Sequence, residues 1–214
     1  MHKQTSLFRV IVFCVLALAF NLVSAFVLGD VLHIPLFMDT IGTVFIVFYA
    51  GLVPGLAVGI GYNILRFFLM ALLGNPVYPW EMMYCLCGGA IAFFTWLIYR
   101  KNQYFYYSRP LVFLYLVLIA LVTAFASSII GGAIETTQRI LFHNHIYVNP
   151  VRNFVTAFLG QNFGLFVSCT FSRIPITVLD RIICTFLGAG IYQLVRNCEK
   201  KMAERAEERN ESFQ

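Results

Sequence analysis

The sequence predicts an all-α integral membrane protein with six transmembrane helices and one further re-entrant or outward-side helix at about 153–171. Three observations lead to this prediction. The chain of 214 residues is 60% hydrophobic and 12% charged, which is about half the charged fraction of a typical soluble domain. Its mean hydropathy is +0.79. Its charges are clustered, so apolar runs long enough to span a bilayer as helices remain between them.

Turn signals divide the chain into seven apolar segments. The segments cover 7–28, 36–50, 53–73, 81–99, 111–133, 153–171 and 174–197. The first segment is longer than the apolar part of a signal peptide, which is about 7–15 residues, so we expect it to be retained as a helix. Pro54 lies in the short break between the second and third segments and predicts a tight helical hairpin. A further break is predicted at Ser172–Pro175.

The distribution of basic residues predicts that both termini are cytoplasmic, because cytoplasmic flanks of spans are enriched in Lys and Arg. Both termini inside require an even number of crossings. The segment at 153–171 is the one expected not to cross, since Gly160, Gln161, Asn162 and Gly164 interrupt it. Such a broken segment is tolerated at membrane depth where it is buried or lines a cavity. Ten of the fifteen Lys and Arg residues are then cytoplasmic: Lys3, Arg9, Arg100, Lys101, Arg109, Arg196, Lys200, Lys201, Arg205 and Arg209.

The chain is predicted to form one transmembrane domain, 1–198, followed by a charged cytoplasmic tail, 199–214, that continues the last helix. Basic residues flank apolar segments rather than forming a stripe, so no nucleic-acid binding is expected. The six cysteines form no CxxC pair, and His143-Asn144-His145 supplies too few ligands for zinc. No P-loop, HExxH or GxSxG motif is present, so neither an enzyme nor a cofactor is predicted.

Acidic residues outside the tail all fall in the outer half of the predicted bundle. A charge in hydrocarbon costs at least about 2.5–3.5 kcal/mol, so such residues usually face a bundle interior or a cavity. We therefore expect a polar cluster beneath an outer opening, with Asp39 paired to Arg66 across the second and third segments. Ion pairs that only hold helices together are the alternative. The candidate substrate-binding residues are Asp39, Thr40, Thr43, Asn63, Arg66, Trp80, Glu81, Tyr84, Glu135, Asn162 and Asp180.

Two stripes of small residues predict close helix contacts. Gly51, Gly55 and Gly59 are expected to pack the third segment against a neighbour. Ala17, Asn21 and Ala25 form a partly polar stripe on the first segment, and this stripe could meet another helix inside or outside the chain.

The run LFMDTIGTVFIVFYAGLVPGLAVGIGYNI resembles the substrate-binding S component of energy-coupling-factor (ECF) vitamin transporters. The similar features are Asp39-Thr40-x-Gly42-Thr43, the glycine-rich turn into the third segment, and Asp180-Arg181 in the last. The resemblance implies a high-affinity receptor in the cytoplasmic membrane for a small vitamin-like micronutrient. It also implies a transmembrane coupling protein and two cytoplasmic ATPases as partners, with the coupling protein docking on Ala17, Asn21 and Ala25.

Two other classes remain open. Similar membrane regions serve as sensory inputs of signalling proteins, so a membrane sensor or receptor module is one alternative. A small seven-span facilitator is the other, and it would require the two termini to lie on opposite sides of the membrane.

Overall fold

The computed structural model describes residues 7–32, 34, 36–75, 77–100, 108–142 and 152–211. The predicted His143–His145 triplet and the basic loop at 101–107 lie outside these residues. The described chain is helical and contains no strand. Its helices are α1 (Leu7–Ala25, continued by a π-helical turn at Phe26–Val31), α2 (Ile41–Ala50), α3 (Leu52–Leu72), α4 (Cys85–Tyr99, preceded by a 3-10 turn at Pro79–Tyr84), α5 (Arg109–Phe142), α6 (Arg152–Gly160) and α7 (Leu165–Glu211).

Five helical segments of the described chain are long and apolar enough to cross a membrane. They are α1, α3, α4 with its 3-10 turn, α5 and α7. The prediction of an all-helical membrane chain is confirmed at this level. The remaining apolar helix, α2, is too short to cross alone, because ten residues span about 15 Å and the hydrocarbon core is about 30 Å thick.

The short helix α2 lies at the centre of the bundle. Every residue from Ile41 to Tyr49 is buried. The helix carries no charge, and its Phe45 and Phe48 belong to the main hydrophobic core. It is shorter than the predicted segment 36–50 because residues 36–40 are not helical and Met38 has a φ of 47°.

Contacts along the helices show that α2, α4 and α7 run parallel to one another and antiparallel to α1, α3 and α5. Phe13 near the start of α1 packs edge-to-face against Tyr49 at the end of α2, with ring centroids 4.8 Å apart. The Tyr49 hydroxyl in turn donates a hydrogen bond to Glu199 of α7, at 2.8 Å. The start of α1 and the polar extension of α7 therefore lie at one end of the bundle. We call it the terminal end and define it by Phe13, Tyr49 and Glu199.

The last part of the chain differs from the prediction in one respect. The segment at 153–171 is interrupted as expected: α6 ends at Gly160, and a turn containing Asn162, with a φ of 62°, leads into α7. The predicted break at Ser172–Pro175 is wrong, because α7 continues through Pro175. The hydroxyl of Thr177 donates to the carbonyl of Arg173, at 2.7 Å, beside the proline. This is the usual back-bond of a threonine to the carbonyl four residues earlier, whereas the backbone bond that Pro175 removes is the one to the carbonyl of Phe171.

Two of the three predicted packing glycines are confirmed. A Cβ on Gly55 would collide with Val47 of α2, and a Cβ on Gly59 would lie 2.6 Å from the carbonyl oxygen of Gly88 on α4. The packing role of Gly51 is wrong, since nothing lies within 4 Å of a Cβ there. Gly51 instead has a φ of 90°, a conformation that favours glycine, and it ends α2 one residue before α3 begins.

The predicted docking stripe on α1 is also corrected. Ala17, Asn21 and Ala25 are all buried. The side-chain oxygen of Asn21 accepts the backbone N–H of Gly42 at 2.7 Å, and its amide nitrogen donates to the Thr43 hydroxyl at 3.2 Å. Because this stripe already packs against α2, it is not available to a separate coupling protein while the two helices remain together.

Candidate substrate site

An ionic cluster joins the start of α2 to α7 at the end of the bundle opposite the terminal end. Arg181 lies between two carboxylates, with its Nη2 atom 3.0 Å from Asp39 and 2.8 Å from Asp180. Its other terminal nitrogen donates to the Thr40 hydroxyl. The Asp180 side chain is fully buried, and that of Asp39 is 19% exposed. Two carboxylates and one guanidinium give this cluster, which we call the Arg181 cluster, a formal charge of −1.

The non-helical segment before α2 makes this geometry possible. An N–H group inside a helix beyond its first turn is occupied by a carbonyl, whereas the N–H of Met38 donates to Asp180 at 2.7 Å. The carbonyl of Met38 accepts the hydroxyl of Ser24 on α1, at 2.6 Å. Both backbone groups of this unusual, buried residue are therefore satisfied, as buried backbone groups in native structures almost always are.

A second ionic cluster lies on the same side of the bundle, between α5 and α7. The buried Glu135 pairs with Arg173 at 2.9 Å and with Arg139, one turn away on its own helix, at 2.8 Å. Arg173 also donates to the hydroxyl of Tyr84, at 2.9 Å, and lies over the ring of that tyrosine. This Glu135 cluster has a net charge of +1, opposite in sign to that of the Arg181 cluster.

The two clusters lie on one face of α7. Arg173 and Asp180 are seven residues apart, which places them about 10 Å apart along the helix with nearly the same orientation. Thr177 lies one turn from Arg173, and its side chain is buried. The ionic groups therefore form a polar column that begins near the start of α2 and continues toward the end of the bundle opposite the terminal end.

The predicted pairing of Asp39 with Arg66 is wrong. Asp39 pairs with Arg181, while Arg66 donates to the hydroxyl of Tyr62 one turn earlier on α3, at 3.0 Å. Tyr62 is buried.

The other predicted site residues divide into three groups. Glu135, Tyr84 and Asp180 belong to the clusters, and the backbone carbonyl of Trp80 accepts a hydrogen bond from Gln138 of α5, at 3.3 Å. Thr43 and Asn63 form hydrogen bonds outside the clusters: the Thr43 hydroxyl accepts the side-chain amide of Asn21, and the Asn63 amide donates to the carbonyl of Gly59. Glu81 is exposed on the 3-10 turn, and Asn162 lies in the exposed turn before α7, outside both clusters.

The list of candidate site residues lacked three cluster residues, Arg139, Arg173 and Arg181. Arg139 follows Glu135 by four residues, a spacing that places the two on one helix face and could have indicated their pairing. Arg173 was taken as part of a break because Pro175 follows it. Arg181 was noted only as the basic residue that follows Asp180 in the family resemblance, and the sequence gives no sign that it contacts Asp39.

Several polar atoms in this region are buried without a hydrogen-bond partner within the described part of the chain. They include the Nε atom of Arg181, the side-chain oxygen of Gln138 and the hydroxyl of Thr170. Such atoms are costly to leave unsatisfied, so the region can accept additional polar contacts. No group of three or more metal-ligating side chains is found among the described residues.

Comparison of the chain with protein-family models, with curated proteins and with solved structures gives no match.

Proposed function

We propose that this protein is the membrane substrate-binding subunit of an uptake system for a small vitamin-like micronutrient. A separate transmembrane coupling protein and two cytoplasmic ATPases would supply the energy. Six crossings, α1 to α5 and α7, would place both termini in the cytoplasm, with α2 completing its crossing through the non-helical residues 36–40.

One observation chiefly supports this proposal: the charges of the bundle are divided between its two ends. The Arg181 and Glu135 clusters lie toward one end. Toward the terminal end, α4 is followed by Arg100, α5 starts at Arg109, and α7 continues past Arg196 into its charged extension. Basic flanks favour the cytoplasmic side, so the clusters would face outward, where a binding subunit meets its substrate.

The bundle also bears on the seven-span alternative. A facilitator with seven crossings would have its termini on opposite sides. The start of α1 and the extension of α7 instead meet at Tyr49, through its edge-to-face contact with Phe13 and its hydrogen bond to Glu199. This arrangement favours an even number of crossings.

A specific feature supports the sensor alternative as a second candidate. Helix α7 runs without interruption from Leu165 to Glu211. It therefore connects Asp180 and Arg181 to a charged extension beyond the terminal end, and a movement at the cluster could pass along one helix to a cytoplasmic partner.

Copurification and uptake together distinguish these functions. We would express the chain with an affinity tag in its native cells, identify the proteins that copurify, and reconstitute the purified chain in liposomes with and without them. A transport subunit should copurify with ATPases, and on its own it should bind substrate without hydrolysing ATP.

Uptake against a gradient should then require ATP together with the copurified subunits. Robust concentrative uptake by the chain alone would contradict the proposal. Copurification of a signalling protein in place of ATPases would support the sensor function.

A further inference from the structure

The Glu135 cluster contains two guanidinium groups and one carboxylate, so its formal charge is +1. Both carboxylate oxygens of Glu135 are already occupied, since Oε1 accepts from Arg139 and Oε2 accepts from Arg173. No other acidic side chain forms an ion pair with either arginine within the described part of the chain. One positive charge is therefore left without a counter-charge among the residues that the structure describes.

The terminal nitrogen Nη1 of each arginine is the group that remains available. Arg139 and Arg173 bind Glu135 through Nε and Nη2, and Arg173 uses Nη2 again for the Tyr84 hydroxyl. Neither Nη1 atom forms a hydrogen bond to a described residue, and neither is among the fully buried nitrogens that lack a partner, so both keep some exposed surface. Oxyanions are the acceptors that match such guanidinium donors in charge and in geometry.

A free hydrogen-bond acceptor lies next to these donors on α5. Gln138 follows Glu135 by three residues and precedes Arg139 directly, so it lies within one helical turn of the cluster. Its side-chain nitrogen donates to the carbonyl of Trp80, whereas its Oε1 atom is buried without a partner in the described chain. Because such an atom is costly to leave unsatisfied, a ligand that brings a hydroxyl or an amine to Gln138 would be stabilised there.

The level of the cluster in the membrane allows a charged ligand to reach it. Glu135 lies 26 residues after Arg109 on α5, about 39 Å along the helix, and Arg173 lies 23 residues before Arg196 on α7, about 35 Å. In the proposed orientation, Arg109 and Arg196 lie at the cytoplasmic surface. Both distances exceed the hydrocarbon thickness of about 30 Å, even at a helix tilt of about 20°. The cluster then lies among the outer headgroups, where a charge keeps contact with water.

The burial of both arginines favours a small soluble ligand over a membrane phospholipid. The side chains of Arg139 and Arg173 are 10% and 6% exposed, and Arg173 is held between α5, α7 and the 3-10 turn that ends at Tyr84. A lipid phosphate would have to bring its glycerol and the start of its acyl chains in between these elements. A small anion needs room only for itself.

We propose that Arg139 and Arg173 bind the oxyanion of a small soluble ligand through their Nη1 atoms, while Gln138 accepts a hydrogen bond from a neighbouring hydroxyl or amine of that ligand. This inference rests on the proposed function, because it gives the chemical class of the substrate, an anion that enters from the outer side. Glu135 acts on this site in two ways: it orients the two guanidinium groups, and its charge opposes that of the ligand.

The test is equilibrium dialysis of the full chain, in dodecyl maltoside micelles, against radiolabelled glycerol 3-phosphate and radiolabelled L-lactate. Each probe carries an oxyanion beside a hydroxyl, a phosphate in the first and a carboxylate in the second. Glycerol, which is uncharged, and choline, which carries the opposite charge, are the control ligands. At least one of the two anions should bind saturably, and neither control should bind.

Two variants and a matched control test the residues. Arg139→Gln should weaken anion binding about tenfold or more, the effect expected for losing a hydrogen bond to a charged group. Glu135→Gln should tighten it severalfold, because the opposing charge is removed, whereas a cluster that only joins helices would give no binding to tighten. Arg196→Gln, the same substitution as the first but at the terminal end, should leave binding unchanged. The Arg139 comparison stands even if Glu135→Gln does not fold.

The inference is overturned if neither anion binds, if glycerol or choline binds equally well, if Arg139→Gln leaves binding unchanged, or if Glu135→Gln weakens it. A lipid source has its own signature. Native mass spectrometry of the chain from phosphatidylglycerol nanodiscs would then show one lipid retained by the parent chain and lost from the Arg139→Gln chain, with no binding of the soluble anions, and this result would also overturn the inference.

These outcomes are separable from the test of the proposed function. ATP-driven uptake of a neutral or cationic substrate, with no anion binding, would remove the anion site and leave the transport function standing. Saturable anion binding by a chain that copurifies with no ATPase would do the reverse.

Discussion

Replacing Arg181 should destabilise the bundle more than replacing any exposed arginine on the same helix. The change Arg181→Gln leaves the carboxylates of Asp39 and Asp180 beside each other without their shared cation. Removing one partner of a buried ion pair typically costs about 3–5 kcal/mol. The full burial of Asp180 places this substitution within that range. Arg196→Gln is the matched control, because Arg196 is 46% exposed and lies 3.8 Å from Glu199, so its pair is worth at most about 1 kcal/mol.

The Asp39→Asn change is milder, since Arg181 keeps its contact with Asp180 and the Asp39 side chain is 19% exposed. We expect a loss of about 1.5 kcal/mol, the lower end of the range for a hydrogen bond to a charged group. The double change of Asp39 and Arg181 should cost less than the sum of the two single changes by at least about 0.5 kcal/mol, because contacting residues are coupled.

The free energy of unfolding can be measured for these chains by titrating sodium dodecyl sulfate into mixed micelles and following helix content by circular dichroism. The reasoning is refuted if Arg181→Gln is no more destabilising than Arg196→Gln. It is also refuted if the effects of the Asp39 and Arg181 changes are additive.

Three further predictions concern packing and topology. Gly59→Ala should force α3 and α4 apart and lower the unfolding free energy by about 1–3 kcal/mol. Gly61→Ala is the control: its Cβ would lie 3.7 Å from Leu18, so the unfolding free energy should hardly change in the same titration. Asn21→Ala should cost about 1–3 kcal/mol, because it leaves buried partners on α2 unsatisfied; a silent change would contradict the bonding described. A membrane-impermeant maleimide should label the exposed Cys198 from the cytoplasmic side only and an Asn75→Cys chain from outside, and the reverse pattern would overturn the orientation.

The placement of Asp39, Glu135 and Asp180 toward one end of the bundle was predictable from the sequence, because the apolar segments order the charges along the helices. Their partners were not. Asp39 and Arg181 are separated by 142 positions, and no local pattern reports which helices become neighbours across such a distance. Arg66 was the nearer candidate along the predicted hairpin, yet the non-helical residues 36–40 lead Asp39 toward α7.

The break predicted at Pro175 shows a second limit. Proline removes a backbone donor and usually ends a helix in water, so Ser172–Pro175 was interpreted as a turn. Inside a bundle, the alternative to a helix is a set of unsatisfied backbone groups, and the helix is retained. The same reasoning applies to Ala17, Asn21 and Ala25: their spacing correctly predicted close helix contact, but only the fold reveals that α2 is the helix they meet.

Helix α2 is held by α7 at both ends. Met38 and Asp39 attach its start to Asp180 and Arg181, and the hydroxyl of Tyr49 attaches its end to Glu199. The two attachments are separated by 18 residues of α7, or about 27 Å. The two attachments join α2 and α7 into one unit, so in the sensor alternative a change at the Arg181 cluster would reach the charged extension of α7 by sliding or tilting this unit against its neighbours, with no need for either helix to bend.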